Sequence, residues 1–216
     1  MKLYSVELSP FAARVRMAIY AKSLNVAILP PPGGGLKSPE YLAINPIGKV
    51  PSLELDDGSV IVESETIVEY LEDKHPVPSL RGATPEATAK ARMVARVAEL
   101  YAVPHLQALF GQLNPAARDQ AKTDEAIAKL TTGLGHLDAL LPATGYAAGV
   151  QLTTADCLIA PMLFFMPMLS GAFADPGLLS DTPKLAAYVD RIQEEPAYRR
   201  VREEMERGLA AMRAGR

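Results

Sequence analysis

KLYSVELSPFAARVRMAIYAKSLNVAIL, residues 2–29, changes its hydrophobic period twice. Lys2 to Val6 alternates as a short strand, and Pro10 to Lys22 places Val15, Ala18 and Ile19 on one helical face. Asn25 to Leu29 reads as a second strand. Strand, helix and strand within this span have the size of a parallel crossover unit, which should be right-handed. The handover is marked by Ser9-Pro10, because serine is a favoured helix cap and proline a favoured first helical residue.

Working outward, PPPGGG at 30–35 is incompatible with a helix or a central strand and reads as a loop. SPEYLAINP at 38–46 predicts one or two helical turns stopped by Pro46. VPSLELDDGSVIVES at 50–64 predicts two strands around Asp57-Gly58, a strong hairpin signal. Helical spacing returns with Ile67, Val68 and Leu71 in a helix over 64–74. The predicted order is β-α-β-α-β-β-α, a mixed four-stranded sheet with helices against it. HPVPSLRGATP at 75–85 reads as a linker, and helices are expected over 86–114, 118–141, 153–170, 183–194 and 197–212. The domains are therefore placed at 1–76 and 86–216, with 77–85 between them. Thr153-Thr154-Ala155-Asp156 has capping-box spacing, and Thr182-Pro183 puts a capping hydroxyl before a first-turn proline.

Composition narrows the function classes. Hydrophobic residues make up 49% of the 216 and charged residues 22%, ordinary globular usage. Lys+Arg 22 against Asp+Glu 25 gives a net charge of −3 with no long basic run, which argues against nucleic acid as partner. A single cysteine, Cys157, rules out an intramolecular disulfide and fits a reducing, cytoplasmic setting. The longest apolar run, CLIAPMLFFMPML, has 13 residues and two prolines, short of the roughly 20 a membrane span needs. It is expected to be a buried helix, and no membrane is expected as partner. His75, His105 and His136 lack metal-ligand spacing, and GGG at 33–35 lacks the G-x-G-x-x-G pattern, so neither a metal nor a nucleotide is expected.

LYSVELSPFAARVR, NPIGKVPSL, VESETIVEYL, the proline-rich linker and the TTAD helix start together resemble the cytosolic glutathione transferases, over nearly the whole chain. The resemblance implies a thioredoxin-like N-terminal domain followed by an all-helical bundle, glutathione as co-substrate and a homodimer. The S-P-F-x-x-R-V-R form is similar to the serine-type tau class. It is also similar to the omega class, where cysteine holds the Ser9 position, and to zeta-type enzymes, which carry a Ser-Cys pair where this chain has Pro10-Phe11.

Ser9 thus has two readings: a helix cap, or a hydroxyl that donates to the sulfur of bound glutathione and favours thiolate over thiol. Lowering a thiol pKa from ~8.5 to about 6.5 needs roughly 2.7 kcal/mol. A hydrogen bond to a charged group supplies ~1.5–3 kcal/mol and a helix N-terminus ~0.3–1 kcal/mol, so the two together suffice without a metal or general base. The resemblance further implies that Val50, before a cis Pro51, pairs with the cysteinyl backbone of glutathione. Ser64 at a helix start would receive the γ-glutamyl carboxylate while Glu63 faces the ammonium. Lys37 and Lys49 are candidates for the glycyl carboxylate.

A second-substrate pocket is expected between the domains, from Phe11 and two apolar sets, Tyr101, His105 and Leu109, and Phe164, Phe165 and Met168. Each is equally a candidate for core. The expected function is detoxifying thiol transfer to a hydrophobic electrophile. The alternatives are a glutathione-dependent cis–trans isomerase of a maleyl-type acid, a peroxidase, or a non-catalytic scaffold.

Overall fold

A computed structural model of the chain describes residues 1–174 and 178–214. The chain divides into two compact units, Met1–Leu80 with Glu194 onward, and Arg81–Gln193.

In the first unit the sheet has the order β2-β1-β3-β4, formed by β1 (Lys2–Tyr4), β2 (Ala27–Leu29), β3 (Ser52–Glu54) and β4 (Val60–Val62). β1 and β2 are parallel, while β1/β3 and β3/β4 are antiparallel, the mixed sheet that the hydrophobic pattern implies. The hairpin closes around Asp57-Gly58: Gly58 has φ +84°, and the Ser59 N–H donates to Asp57 Oδ1 at 2.9 Å. The first and second strands are each two residues shorter than expected, β1 stopping at Tyr4 and β2 starting at Ala27, and Pro32–Gly34 forms a 3₁₀ turn where the sequence predicts an irregular loop.

Helix α1 (Pro10–Ala21) buries every residue from Ala12 to Ile19, both arginines included, rather than a single stripe. The cause is that it is covered from two sides, by α3 (Ser64–Lys74) and by α10 (Pro196–Ala214). Assignment of 86–216 to one helical domain is corrected accordingly, since Glu194 onward packs with the first unit. The short α2 (Pro39–Ile44) is capped by Ser38, which accepts from the Tyr41 N–H at 3.1 Å.

The second unit holds α4 (Pro85–Tyr101), α5 (Val103–Phe110), α6 (Gln120–Leu140), α7 (Thr154–Leu163), α8 (Met166–Phe173) and α9 (Pro183–Ile192). Two helices expected to run unbroken are interrupted. Pro104 has no N–H to return to Leu100, and the chain turns at Ala102. Pro167 likewise cannot bond back to Leu163, which separates α7 from α8 at Phe164-Phe165. Thr154–Phe173 is the one stretch among the described residues whose length and apolar character match a membrane span. Its window is 61% buried, as a core segment is.

Asp156 organises this unit from its centre. It is fully buried and accepts from the Ala147 and Thr153 N–H groups at 2.8 Å, and from the Thr153 and Tyr188 hydroxyls at 3.0 Å. Burial pushes its carboxyl up, against these four donors, which pull it back. The TTAD start is thus a capping box that also ties α7 to α9. Thr182, by contrast, makes no cap bond; its hydroxyl donates to the Leu179 carbonyl at 3.0 Å.

Where α4 ends, it meets α6 at Gly133: a β-carbon there would lie 1.9 Å from the Tyr101 carbonyl oxygen. The obstacle is backbone and cannot rotate away.

Three substitutions test these contacts. Asp156→Ala leaves four buried donors unmet and should lower stability by about 2–4 kcal/mol, read from urea unfolding followed by circular dichroism. Gly133→Ala should lower it by about 1–3 kcal/mol. Gly135→Ala, on the same helix with nothing within 4 Å, should instead raise it by up to about 1 kcal/mol.

Candidate functional site

Strand register brings the candidate residues to one end of the sheet. Tyr4 pairs with Leu29 on one side and Ser52 on the other, and Ser52 pairs with Val62. The segments leaving these four positions are Ser5–Ser9, Pro30–Gly35, Val50-Pro51 and Glu63-Ser64, so all emerge side by side. Four strands at about 4.8 Å spacing span roughly 15 Å, enough to seat an extended tripeptide of about 10 Å.

Ser9 is the N-cap of α1. Its Oγ accepts from the Ala12 N–H at 3.2 Å, and its own N–H donates to the Val6 carbonyl at 3.0 Å. The cap reading is therefore realised, and it does not compete with the other one. Capping uses a lone pair of the oxygen and leaves the O–H as a donor. No acidic side chain lies in the first turn of α1, so the positive end of its dipole is not neutralised locally.

The Val50-Pro51 peptide is cis, as the resemblance implied; so is Val77-Pro78, which the sequence reading did not anticipate. Val50 is half-buried and lies outside the β1/β3 ladder, whose last pair is Tyr4 with Ser52. A brace holds the loop before it. The Tyr41 hydroxyl donates to the Lys49 carbonyl at 2.6 Å and lies 2.9 Å from Ser52 Oγ; Asn45 Nδ2 donates to the same carbonyl at 2.8 Å and to the same hydroxyl at 2.9 Å. Gly48 has φ +63°, and a β-carbon there would be 2.8 Å from the Leu36 carbonyl oxygen, which explains glycine at that turn.

Glu63 adopts φ +67°, a left-handed conformation costly for a non-glycine residue. It precedes α3 without capping it, and Ser64 is buried as the first residue of that helix. The first amides of α3 therefore meet no side-chain acceptor from the N-cap, in contrast to α1 and α2. Lys37 Nζ donates to the Ile47 carbonyl at 3.1 Å, which places a cation against the loop that leads to Val50. Lys49 is exposed, one residue before Val50.

The apolar set does not form one stripe. Tyr101 ends α4 and is 51% exposed, edge-on to His136 at 5.8 Å, whereas His105 and Leu109 belong to α5 beyond the break. Leu109 and Phe165 are core side chains, Phe165 packing on Phe110 at 4.8 Å and on Phe164 at 5.2 Å. Phe164 and Met168 are half-buried. In the first unit Phe11 is half-buried, with the Arg14 guanidinium 6.0 Å from its ring centre.

Sequence reasoning missed the brace. Asn45 signals it only as an Asn-Pro turn, and nothing local announces that Tyr41 and Asn45 reach the same carbonyl and the same Ser52 hydroxyl. Cys157 is buried in α7 as expected.

The family model for the glutathione S-transferase N-terminal domain matches residues 3–81, and that for the C-terminal domain matches residues 91–196. The chain is 30% identical over 205 residues to a maleylacetoacetate isomerase of Pseudomonas aeruginosa, covering 92% of this chain and 94% of the relative. The crystal structure of glutathione transferase F7 from Populus trichocarpa superposes with a TM-score of 0.80 at 27% identity, covering 94% of this chain and 98% of that one. The holo structure of maleyl pyruvate isomerase, a bacterial zeta-class glutathione S-transferase, superposes at 0.74 with 26% identity, covering 93% and 96%. With the N-terminal and C-terminal family models matching in order over most of the chain, and a relative 30% identical over 92% of it, the chain belongs to the glutathione S-transferase family of enzymes.

Proposed function

We propose that the protein is a serine-type glutathione transferase that holds the tripeptide across the end of the sheet and presents its thiolate to a hydrophobic electrophile. The observation that carries this reading is the register. It sets the Ser9 cap, the Val50 backbone and the uncapped amino end of α3 side by side.

Each element has one task. The amides of α3 and the Ser64 hydroxyl receive the γ-glutamyl carboxylate, and Glu63 faces the ammonium. Val50 exchanges backbone hydrogen bonds with the cysteinyl residue. Lys37 and Lys49 offer cations to the glycyl carboxylate. The thiol gives its proton to solvent, and the Ser9 O–H donates to the sulfur anion that remains, aided by the dipole of α1. Because the same oxygen accepts from Ala12, its O–H is polarised into a stronger donor. The thiolate then forms a carbon–sulfur bond as the leaving group departs with its electron pair, with proximity supplying the rest.

A second reading is favoured by the relatives named maleylacetoacetate isomerase and maleyl pyruvate isomerase. Here the thiolate adds to a cis double bond, the single bond rotates, and expulsion of the thiolate leaves the trans product with glutathione recycled. Pro10-Phe11 in place of a Ser-Cys pair weighs against it.

Ser9→Ala should raise the pKa of bound glutathione, followed by thiolate absorbance, by about 1–2 units. It should lower kcat/KM with an aryl halide near pH 6.5 by about 10–100-fold. An unchanged titration would remove Ser9 from the mechanism. Ser64→Ala should raise the KM for glutathione with kcat nearly constant, since the carboxylate it holds is bound alike in ground and transition states. Conversion of a maleyl acid at a higher kcat/KM than an aryl halide would select the second reading.

A further inference from the structure

The segment that delivers Ser9 is held from behind by a buried arginine. Arg16 is 1% exposed; its Nη1 donates to Ser5 Oγ at 2.6 Å and to the Val6 carbonyl at 3.0 Å, and its Nη2 to the Glu7 carbonyl at 2.7 Å. Three consecutive residues before Ser9 are thereby fixed to one planar group. Arg16 Nε lies 2.7 Å from Glu204 Oε2 on α10, an ion pair by distance though not aligned as a hydrogen bond.

The other titratable groups here are Tyr20, a neutral phenol whose hydroxyl donates to Glu204, and Arg200, whose Nε lies 3.8 Å from Glu204 Oε1 and whose guanidinium sits 3.8 Å from the centre of the Tyr20 ring. Further out, Arg207 pairs with Glu7 at 2.9 Å, both largely exposed. One turn beyond Glu204, Gly208 faces the same segment: a β-carbon on it would lie 2.8 Å from the Leu8 nitrogen.

We propose that Arg16, oriented by Glu204, and the bare face of Gly208 are positioning residues for Ser9, so that α10 sets the geometry on which thiolate stabilisation depends. The inference rests on the Ser9 reading and adds to it a requirement for a helix almost two hundred residues away in sequence. Arg16 touches neither the cap bond nor the sulfur. It acts by fixing the carbonyl of Val6, to which Ser9 itself donates, and the carbonyl of Glu7 between them.

The sign of the effect separates placement from charge. Glu204→Gln keeps the shape of the side chain and leaves the Arg16 charge unneutralised. A through-space field alone would then lower the pKa of bound glutathione, whereas a displaced Ser9 raises it. Gly208→Ala changes no charge and improves helix propensity, so any effect on the thiolate comes from the push on Leu8.

Both variants should raise the bound-thiol pKa by about half a unit or more. They should lower kcat/KM about threefold below that pKa, with the glutathione KM within about twofold of wild type. Amide hydrogen exchange over residues 6–12 should accelerate in both without ligand, and Arg207→Gln, which breaks only the exposed pair, should match wild type. A bound-thiol pKa left unmoved or lowered in either variant overturns the proposal. If wild-type protein shows no thiolate titration at all, the Ser9 reading fails instead. The exchange arm then decides alone: unchanged protection over 6–12 in both variants overturns the clamp.

Discussion

Everything proposed for this protein depends on the pairing of Tyr4 with Ser52 and of Ser52 with Val62. Side chains alternate across a sheet, so a slip of one residue would turn Leu3 and Leu53, both fully buried, towards the opposite face. It would also offset the three segments that leave the strands. Burial of the leucines and alignment of the site are therefore one constraint. The register that buries them sets the Ser9 cap, the Val50-Pro51 peptide and the start of α3 at one end of the sheet.

Buried charge plays a different part. Lys22 and Glu72 have side chains 0% and 1% exposed and pair with each other; Lys22 also donates to the Pro78 carbonyl, and Glu72 accepts from the Leu80 N–H at 3.0 Å. Arg16 with Glu204 is built the same way. Desolvation cancels much of the attraction in such pairs, so they are poor sources of net stability. What they provide is direction. A guanidinium or ammonium with several fixed acceptors admits one path of the chain around it, and each pair here guides a segment with little regular structure: Ser5–Glu7 in one case, Pro78–Leu80 in the other.

Local signals in the sequence were faithful where the structure they specify is local. The Asp57-Gly58 turn, Ser9-Pro10 and Thr153–Asp156 each state their own geometry within a few residues and each is realised, as is the alternation from Lys2 as far as Tyr4. The failures share a cause. Val15, Ala18 and Ile19 predict a helix buried along one stripe, yet Arg14 and Arg16 are buried as well, and for Arg16 the cover is α10, which meets it through Glu204 on a side that a local pattern assigns to solvent. Glu63 gives no hint of its left-handed backbone, and Tyr101, His105 and Leu109 looked like one face until Pro104 divided them. Burial by a distant element and the aim of a side chain at a remote carbonyl leave no periodic trace.

The first unit draws α1 from the beginning of the chain and α10 from its end, while the second unit is contiguous from Arg81 to Gln193. On a ribosome this reverses the usual order, in which the earlier-made domain is the first to close. Helix α1 emerges with one side covered by nothing and Arg16 without its carboxylate, and it waits until nearly two hundred further residues have been translated. The later-made unit can finish first, so the half that carries Ser9 is begun earliest and completed last.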